Sequence, residues 1–384
     1  MRWARLCFAI LALAAACTRG GTASPSPEPE PTQEPTPSVE PSGARLADGS
    51  PLPEGCTGGA GPSHTVAFVA DGRAWGLDPA DGDVACLFPI EDPGPFAWGP
   101  QGDRVLLDGL EIRGLAADAP DFPAVHTALG GPFDWGHPLG LAVVFADERG
   151  HPRKRYLDDG RVVRLSSLPE GRYLQIAYHP SGFALAFVVE GAEGQEIWLS
   201  TNEGADAERL VFSETGTTFP SIAFTPNGKQ LWWTAAHSGG LAELHWMDLD
   251  DRSGFGTGWN HPTDGQATNL RFAPKGRLKS LDLGTGCDDR SAVIVAGKTG
   301  APALPDGTAP TTALGWLDSS TLLVAAGGCG EPVDLYAVDG SGDEDPIALV
   351  LEVGLAAPRT VVRNPPQDVP APPNEEEPPS GGVG

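Results

Sequence analysis

The sequence predicts an all-β fold, a β-propeller of seven four-stranded blades with six as the alternative count, and three observations carry that prediction. Six segments repeat an apolar strand ending in an aromatic, a turn containing Pro, Gly, Asp or Ser, and a second apolar strand. They are FAWGPQGDRVLLDG from Phe96, FDWGHPLGLAVVFA from Phe133, IAYHPSGFALAFVV from Ile176, IAFTPNGKQLWWTA from Ile222, LRFAPKGRLKSLDL from Leu270 and LGWLDSSTLLVAA from Leu314. Their marker aromatics, Trp98, Trp135, Tyr178, Phe224, Phe272 and Trp316, fall 37, 43, 46, 48 and 44 residues apart, the period of a propeller blade. Between the repeats stand hairpin signals, Asp78-Pro79-Ala80-Asp81-Gly82, Asp158-Asp159-Gly160, Asp248-Leu249-Asp250-Asp251 and Asp339-Gly340-Ser341-Gly342. Asp and Gly there supply Asx turns and positive φ at low cost. Finally, the strands do not divide evenly. The unit before the first marker offers three, over residues 65–69, 73–77 and 84–88, and a spare one remains at 359–363.

A four-stranded blade has two apolar faces and cannot shield both alone, so blades stack face to face and the ring must close. If the strand at 359–363 becomes the innermost strand of the first blade, the ring closes with seven. The irregular repeat at Phe133 keeps six open.

The chain begins MRWARLCFAILALAAAC. Arg2 and Arg5 form a basic start and residues 6–16 an apolar run of eleven, too short for a membrane-spanning helix and suited to an export signal. Its end, Leu13-Ala14-Ala15-Ala16-Cys17, resembles a bacterial lipobox, in which small residues precede a Cys that is acylated and becomes the mature N-terminus. Residues 1–16 are therefore expected to be a signal peptide and Cys17 a lipid anchor; an ordinary secretory cleavage site is the other reading. Residues 17–61 carry a Pro/Glu/Ser/Thr spacer with almost no apolar side chains to offset the entropy of ordering it. Such a disordered tether reaches on the order of 100 Å at about 3.1 Å per residue in polyproline II form. The propeller is expected over 62–364 and a disordered acidic, Pro-rich tail over 365–384.

A formal charge of -26 argues against nucleic acid and anionic head groups as partners. Arginine outnumbers lysine, and Ala, Gly and Pro are abundant, the bias of a GC-rich, actinobacterial-type genome. With Cys7 in the leader and Cys17 at the anchor, Cys56, Cys86, Cys287 and Cys329 remain, and four cysteines allow three pairings. Cys287 lies 15 residues after Phe272 and Cys329 13 after Trp316, so both follow the second strand of successive blades. That favours Cys287 with Cys329, and Cys56 with Cys86, without removing the other pairings.

The PxG turn between two apolar strands, as in Ala223-Phe224-Thr225-Pro226-Asn227-Gly228-Lys229-Gln230-Leu231, resembles the motif of TolB-like and related WD40-like propellers. The resemblance is specific at the repeats of Tyr178, Phe224 and Phe272. It implies an extracytoplasmic binding scaffold rather than an enzyme, although the separate N-terminal α/β domain of TolB has no counterpart in this sequence. Ser200-Thr201-Asn202-Glu203-Gly204 resembles the Asp-box turn of sialidase-type propellers, which implies a structural hairpin and not glycosidase activity.

No GxSxG elbow, HExxH, P-loop or zinc-spaced Cys/His set occurs, and no catalytic residue is assigned. His137 and His179 stand in turns of different blades, where either an axial site or an ordinary turn would use them. Asp288-Asp289 and the stretch from Asp339 to Asp345 offer carboxylates to calcium but lack EF-hand spacing; solvated turns are the plainer account, and no metal is assigned. Trp232 and Trp233, adjacent on one strand, point to opposite faces and suit two cores. Residues 254–266, with Trp259, Asn260 and His261, form the candidate binding loop, against a plain blade connector.

The expected function is a membrane-anchored, extracytoplasmic, non-catalytic binding scaffold that engages protein or cell-envelope glycan partners. The alternative is a secreted propeller enzyme, a quinone-dependent dehydrogenase or a polysaccharide-acting one, with its site at the channel mouth.

Overall fold

The computed structural model describes residues 43–56, 64–90, 97–99, 104–107, 111–115, 121–124, 131–135, 142–254, 256–263, 265–275, 277–286, 288–304, 310–328, 330–353 and 361–362. All belong to the larger of two compact units, Ser42–Gly384. The strands in order are β1 (Arg45–Leu46), β2 (Val66–Ala70), β3 (Arg73–Leu77), β4 (Val84–Pro89), β5 (Ala97–Trp98), β6 (Arg104–Leu106), β7 (Ile112–Gly114), β8 (Phe133–Trp135), β9 (Ala142–Ala146) and β10 (Pro152–Tyr156). There follow β11 (Val162–Arg164), β12 (Arg172–Tyr178), β13 (Ala184–Glu190), β14 (Gln195–Thr201), β15 (Glu208–Phe212), β16 (Thr217–Phe224), β17 (Gln230–His237), β18 (Leu241–Asp248) and β19 (Gly256–Pro262). The last are β20 (Gln266–Phe272), β21 (Leu278–Gly284), β22 (Ser291–Ala296), β23 (Thr299–Pro302), β24 (Thr311–Trp316), β25 (Thr321–Ala326), β26 (Val333–Asp339), β27 (Ile347–Val353) and β28 (Val361–Val362).

Among the described residues these strands form seven antiparallel sheets. Six have four strands or more: β28-β2-β3-β4, β8 to β11, β12 to β15, β16 to β19, β20 to β23, and β24 to β27 with β1 added outside β27. The other, β5-β6-β7, has three, with an isolated bridge from Ile112 to Phe122 beyond β7. We number the blades from the sheet containing β2, so that β5 to β7 are the second and β24 to β27 the seventh. Each marker aromatic ends the innermost strand of its blade: β5, β8, β12, β16, β20 or β24. Successive innermost strands touch, β8 with β12, β12 with β16, β16 with β20, β20 with β24, β24 with β28 and β28 with β5, and the apolar cluster that holds Ala97 and Trp135 spans the remaining junction between β5 and β8.

Closure follows the expected strand exchange: Val361 and Val362 pair with Ala67 and Val66 as the inner strand of the first blade. A second clasp is a correction. The tether expected to reach residue 61 gives way to packed chain earlier, because β1 pairs with Val350 and Leu351 of β27, and Ala44 and Leu52 are buried between the seventh and first blades. Two short apolar side chains in a Pro-rich stretch suffice once the open edge of β27 supplies hydrogen-bond partners. The Cys56–Cys86 disulfide, with a Cα separation of 4.8 Å, then ties this lead to β4.

One apolar cluster lies between each neighbouring pair of blades among the described residues. Trp233 joins the cluster between the fourth and fifth blades and Trp232 the next one, as adjacent residues on one strand must. The hairpin signals fall where expected, between β3 and β4, β10 and β11, β18 and β19, and β26 and β27. Asp78, Asp248 and Asp339 each accept a hydrogen bond from within their own turn.

Candidate functional site

The residue before each marker aromatic occupies the same place on an innermost strand. It is Ala97, Ala177, Ala223 and Gly315 in four repeats, but Asp134 in the third blade and Arg271 in the sixth. The two charged exceptions act on each other, and both belong to a polar network at the inner ring. Arg271 Nε donates to Asn269 Oδ1 at 2.8 Å, and Asn269 Nδ2 donates to Asp282 Oδ2 at 3.0 Å and to the Ala313 carbonyl. Asn269 holds this position with a left-handed backbone (φ 56°) at the register shift of β20 against β21. Asp282, on β21, is 1% exposed and its Oδ1 accepts from the Ala313 N–H of the next blade at 2.8 Å.

Asp134 is used in the same way. Its Oδ2 accepts from the Tyr178 N–H of the fourth blade at 2.7 Å, and its Oδ1 from the Trp135 N–H. Burial pushes both carboxyls up to about 6, against the pull of these N–H donors and of the Arg271 charge; Arg290 adds to that pull at Asp282. Asp134 keeps some accessible surface, whereas Asp282 has almost none. Neutral residues extend the pattern. Ser221 Oγ accepts from Leu270 N–H at 2.9 Å, and Gln195 Oε1 from Phe219 N–H at 2.7 Å. Register shifts in β12, β16, β20 and β24 interrupt the inner-strand ladders, and groups from the blade before meet N–H donors on all four of these strands. The network can therefore fasten blade to blade, and the Arg271 charge acts on both carboxyls that burial raises to about 6.

The residues singled out from sequence are placed as follows. Trp259 is a correction: residues 256–262 form β19, the outer strand of the fifth blade, and its ring is 4% exposed in the core against the sixth blade. The bulge of β19 turns it inward, leaving Asn260 and His261 exposed. His179 is a turn residue: its Nδ1 meets Ser181 Oγ at 2.6 Å, its Nε2 meets the Gly228 carbonyl of the next blade at 2.7 Å, and burial lowers its pKa. The turn with the Asp-box resemblance is an inter-blade clamp. Glu203 there accepts from Lys154 Nζ at 2.7 Å and Tyr156 Oη at 2.9 Å, both on β10.

Asp289 is held at about 2 by N–H and hydroxyl donors of Thr285 and the N–H of Gly286, so its oxygens close their own loop. Asp339, Ser341 and Asp343 likewise bond among themselves. Cys17, His137, Cys287 and Cys329 lie outside the described residues. Their neighbours Asp288 and Gly328 do meet, a Cβ on Gly328 falling 3.2 Å from Asp288 Oδ1.

Sequence reading missed Asp134, Asn269, Arg271 and Asp282. Aligning the repeats on the marker aromatic exposes the first and third as charges at a position otherwise held by Ala or Gly. Asn269 and Asp282 carry no such mark.

No family model and no curated protein matches the sequence. Solved structures do resemble it, TolB among them, as the PxG repeats predict. TolB from Acinetobacter baumannii aligns at TM-score 0.47 and 14% identity, covering 78% of this chain and 66%, just under two thirds, of that one. A β-propeller domain from Myceliophteria thermophila aligns at TM-score 0.48 and 16% identity over 67% of this chain and 86% of that one. An oligogalacturonate lyase in complex with manganese aligns at TM-score 0.44 and 13% identity over 73% and 82%. None of these likenesses assigns an activity to this chain.

Proposed function

We propose that the chain is an exported propeller, tethered to the membrane through Cys17, that acts by binding protein or cell-envelope glycan partners and not by catalysis. The observation that supports this reading is the use made of the inner-ring carboxylates. Asp134 and Asp282 each give one oxygen to an N–H donor of the next blade and the other to a donor of their own blade, which suits a rigid frame better than a reactive pair. The Pro/Glu-rich spacer would hold that frame clear of a membrane, and the charge of -26 keeps it from polyanions.

The full chain, expressed in a bacterial host that acylates lipoproteins, tests this by intact mass of detergent-extracted protein and chemical crosslinking in the envelope. Diacylglycerol on Cys17 together with a specific crosslinked partner, lost on competition with the purified ring, supports a tethered scaffold. A protein released unacylated and crosslinked to nothing overturns it. The Arg271 charge, which acts on two carboxyls raised by burial to about 6, favours one second reading, a secreted enzyme acting on polysaccharide. Turnover of oligosaccharides by the wild type, abolished in Arg271→Ala, would establish that reading instead.

A further inference from the structure

Away from the inner ring, the fifth blade gathers two imidazoles around one carboxylate. On its face toward the fourth blade, Trp233 lies opposite His245, Ala235 opposite Glu243 and His237 opposite Leu241, so strand alternation puts Trp233, His237, Glu243 and His245 on one side. His237 Nε2 and His245 Nε2 each approach the same oxygen, Glu243 Oε2, at 3.1 Å. The three side chains are 35%, 24% and 32% exposed, at the solvent edge of the interface and not sealed within it.

Two further contacts fix the rings. Thr217 Oγ1 lies 3.0 Å from His237 Nδ1, and Trp233 stacks on His245 with centroids 5.6 Å apart and planes 10° from parallel. The outer strand is bulged at this place. Glu243 pairs with Asn260 and His245 with Gly256, so residues 257–259 stand opposite Leu244 alone. Bulges of this kind re-aim side chains and recur beside functional sites. This one buries Trp259 and leaves Asn260 exposed across from Glu243.

From this arrangement we propose that His237, Glu243 and His245 form a solvent-open site for one divalent transition-metal ion of the zinc, nickel and copper class. Two imidazole nitrogens and one carboxylate oxygen suit those ions, whereas calcium and magnesium prefer oxygen alone. Metal bonds of about 2.0–2.1 Å in a tetrahedron put ligand atoms about 3.3 Å apart, close to the two Nε2 to Oε2 separations of 3.1 Å.

In the metal-free protein the groups are joined by hydrogen bonds, and as they stand no three His, Cys, Asp or Glu among the described residues are arranged to hold a metal ion, so the two rings must turn off the shared Glu243 oxygen for an ion to enter. Binding therefore replaces N–H···O contacts by metal bonds. Each imidazole frees its Nε2 lone pair, a neutral ring by shifting its hydrogen to Nδ1 and an imidazolium by releasing the Nε2 proton to solvent; on His237 the Nδ1 hydrogen is then accepted by Thr217 Oγ1, the outer contact that orients a metal-bound histidine.

The untagged full chain is titrated with Zn²⁺ by calorimetry and with Cu²⁺ by tryptophan fluorescence. One equivalent is expected to bind saturably at micromolar concentration or below, and Cu²⁺ to quench emission, because a ligand ring stacks on Trp233. His237→Ala, His245→Ala and Glu243→Gln should each weaken binding about tenfold or more, with far-UV circular dichroism and melting temperature reported beside each affinity. Glu243→Gln keeps the shape of the side chain and serves if a histidine variant fails to fold. Absence of saturable binding by the wild type, or unchanged affinity in the folded His237→Ala/His245→Ala double variant, overturns the proposal.

Discussion

Neutralising Asp282 should reshape the pH dependence of stability. Its carboxyl lies near 6 in the folded protein and at about 3.9 in an unfolded chain. The native state therefore takes up its proton first as pH falls. Between about pH 6 and pH 4 it holds more protons than the unfolded state, and this residue makes the protein more stable on acidification, the reverse of an ordinary carboxylate. With those values, moving from pH 7 to pH 5 gains about 1 kcal/mol and completing the titration about 3 kcal/mol.

His179 works in the opposite sense. Burial lowers its pKa, so the unfolded state binds its proton first and acidification through the same window costs stability. Asp289, held at about 2, loses its contribution only below about pH 4. The informative quantity is thus the difference between two proteins. Urea unfolding of wild type and Asp282→Asn is followed by tryptophan fluorescence at pH 7 and pH 5. The introduced amide cannot titrate and presents its N–H₂ group toward Asn269, so the variant should be less stable at both pH values, by about 1–3 kcal/mol. It should also lack about 1 kcal/mol of the pH 7 to pH 5 change seen in wild type. Equal changes in the two proteins would mean that Asp282 is not a raised, buried carboxyl, and the account of the inner ring would fail.

Gly228→Ala should lower stability by about 2–4 kcal/mol, because φ there is +69° and a Cβ would fall 2.4 Å from the His179 ring; denaturant midpoints at fixed pH measure it. Truncation after residue 358 removes β28 and leaves the Val66 and Ala67 edge unpaired, so the melting transition should broaden and the protein aggregate on heating, as calorimetry and light scattering will show. Mass spectrometry after alkylation, with and without prior reduction, should reveal two disulfides in the exported protein, Cys56–Cys86 and one joining Cys287 to Cys329. Removing the first by Cys86→Ser should cost about 2–5 kcal/mol in urea unfolding. Glu203→Ala leaves the Lys154 ammonium, whose side chain is 4% exposed, without its carboxylate and should destabilise by about 1–3 kcal/mol, with Lys154→Met/Glu203→Ala recovering part of the loss.

Much of the architecture was legible because it depends on local, repeating rules. A blade writes its period into the chain. The marker aromatics Trp98 to Trp316 located every innermost strand but the first blade's, and the Asp/Gly turns located the outer hairpins. The spare strand near residue 361 foretold the closure, because an unpaired edge in a ring has one partner left. What repetition did not carry was hidden. The β1 clasp depends on an edge of β27 some three hundred residues away. Trp259 looked like a rim aromatic until the bulge in β19 turned it inward. Asn269 and Asp282 are unremarkable residues in sequence, and only the approach of the seventh blade gives Asp282 the Ala313 N–H that holds it.

Taken alone, then, the sequence determined the strand period, the ring and its strand-exchange closure, and the strongly acidic charge. Tertiary structure decided which polar groups meet. Hydrogen bonds such as Asp134 to Tyr178 and contacts such as His237 to Glu243 form between residues brought together by blade packing or register, and their strength depends on burial that no single strand possesses. Periodicity is encoded residue by residue, whereas burial and partnership exist only once the ring has closed.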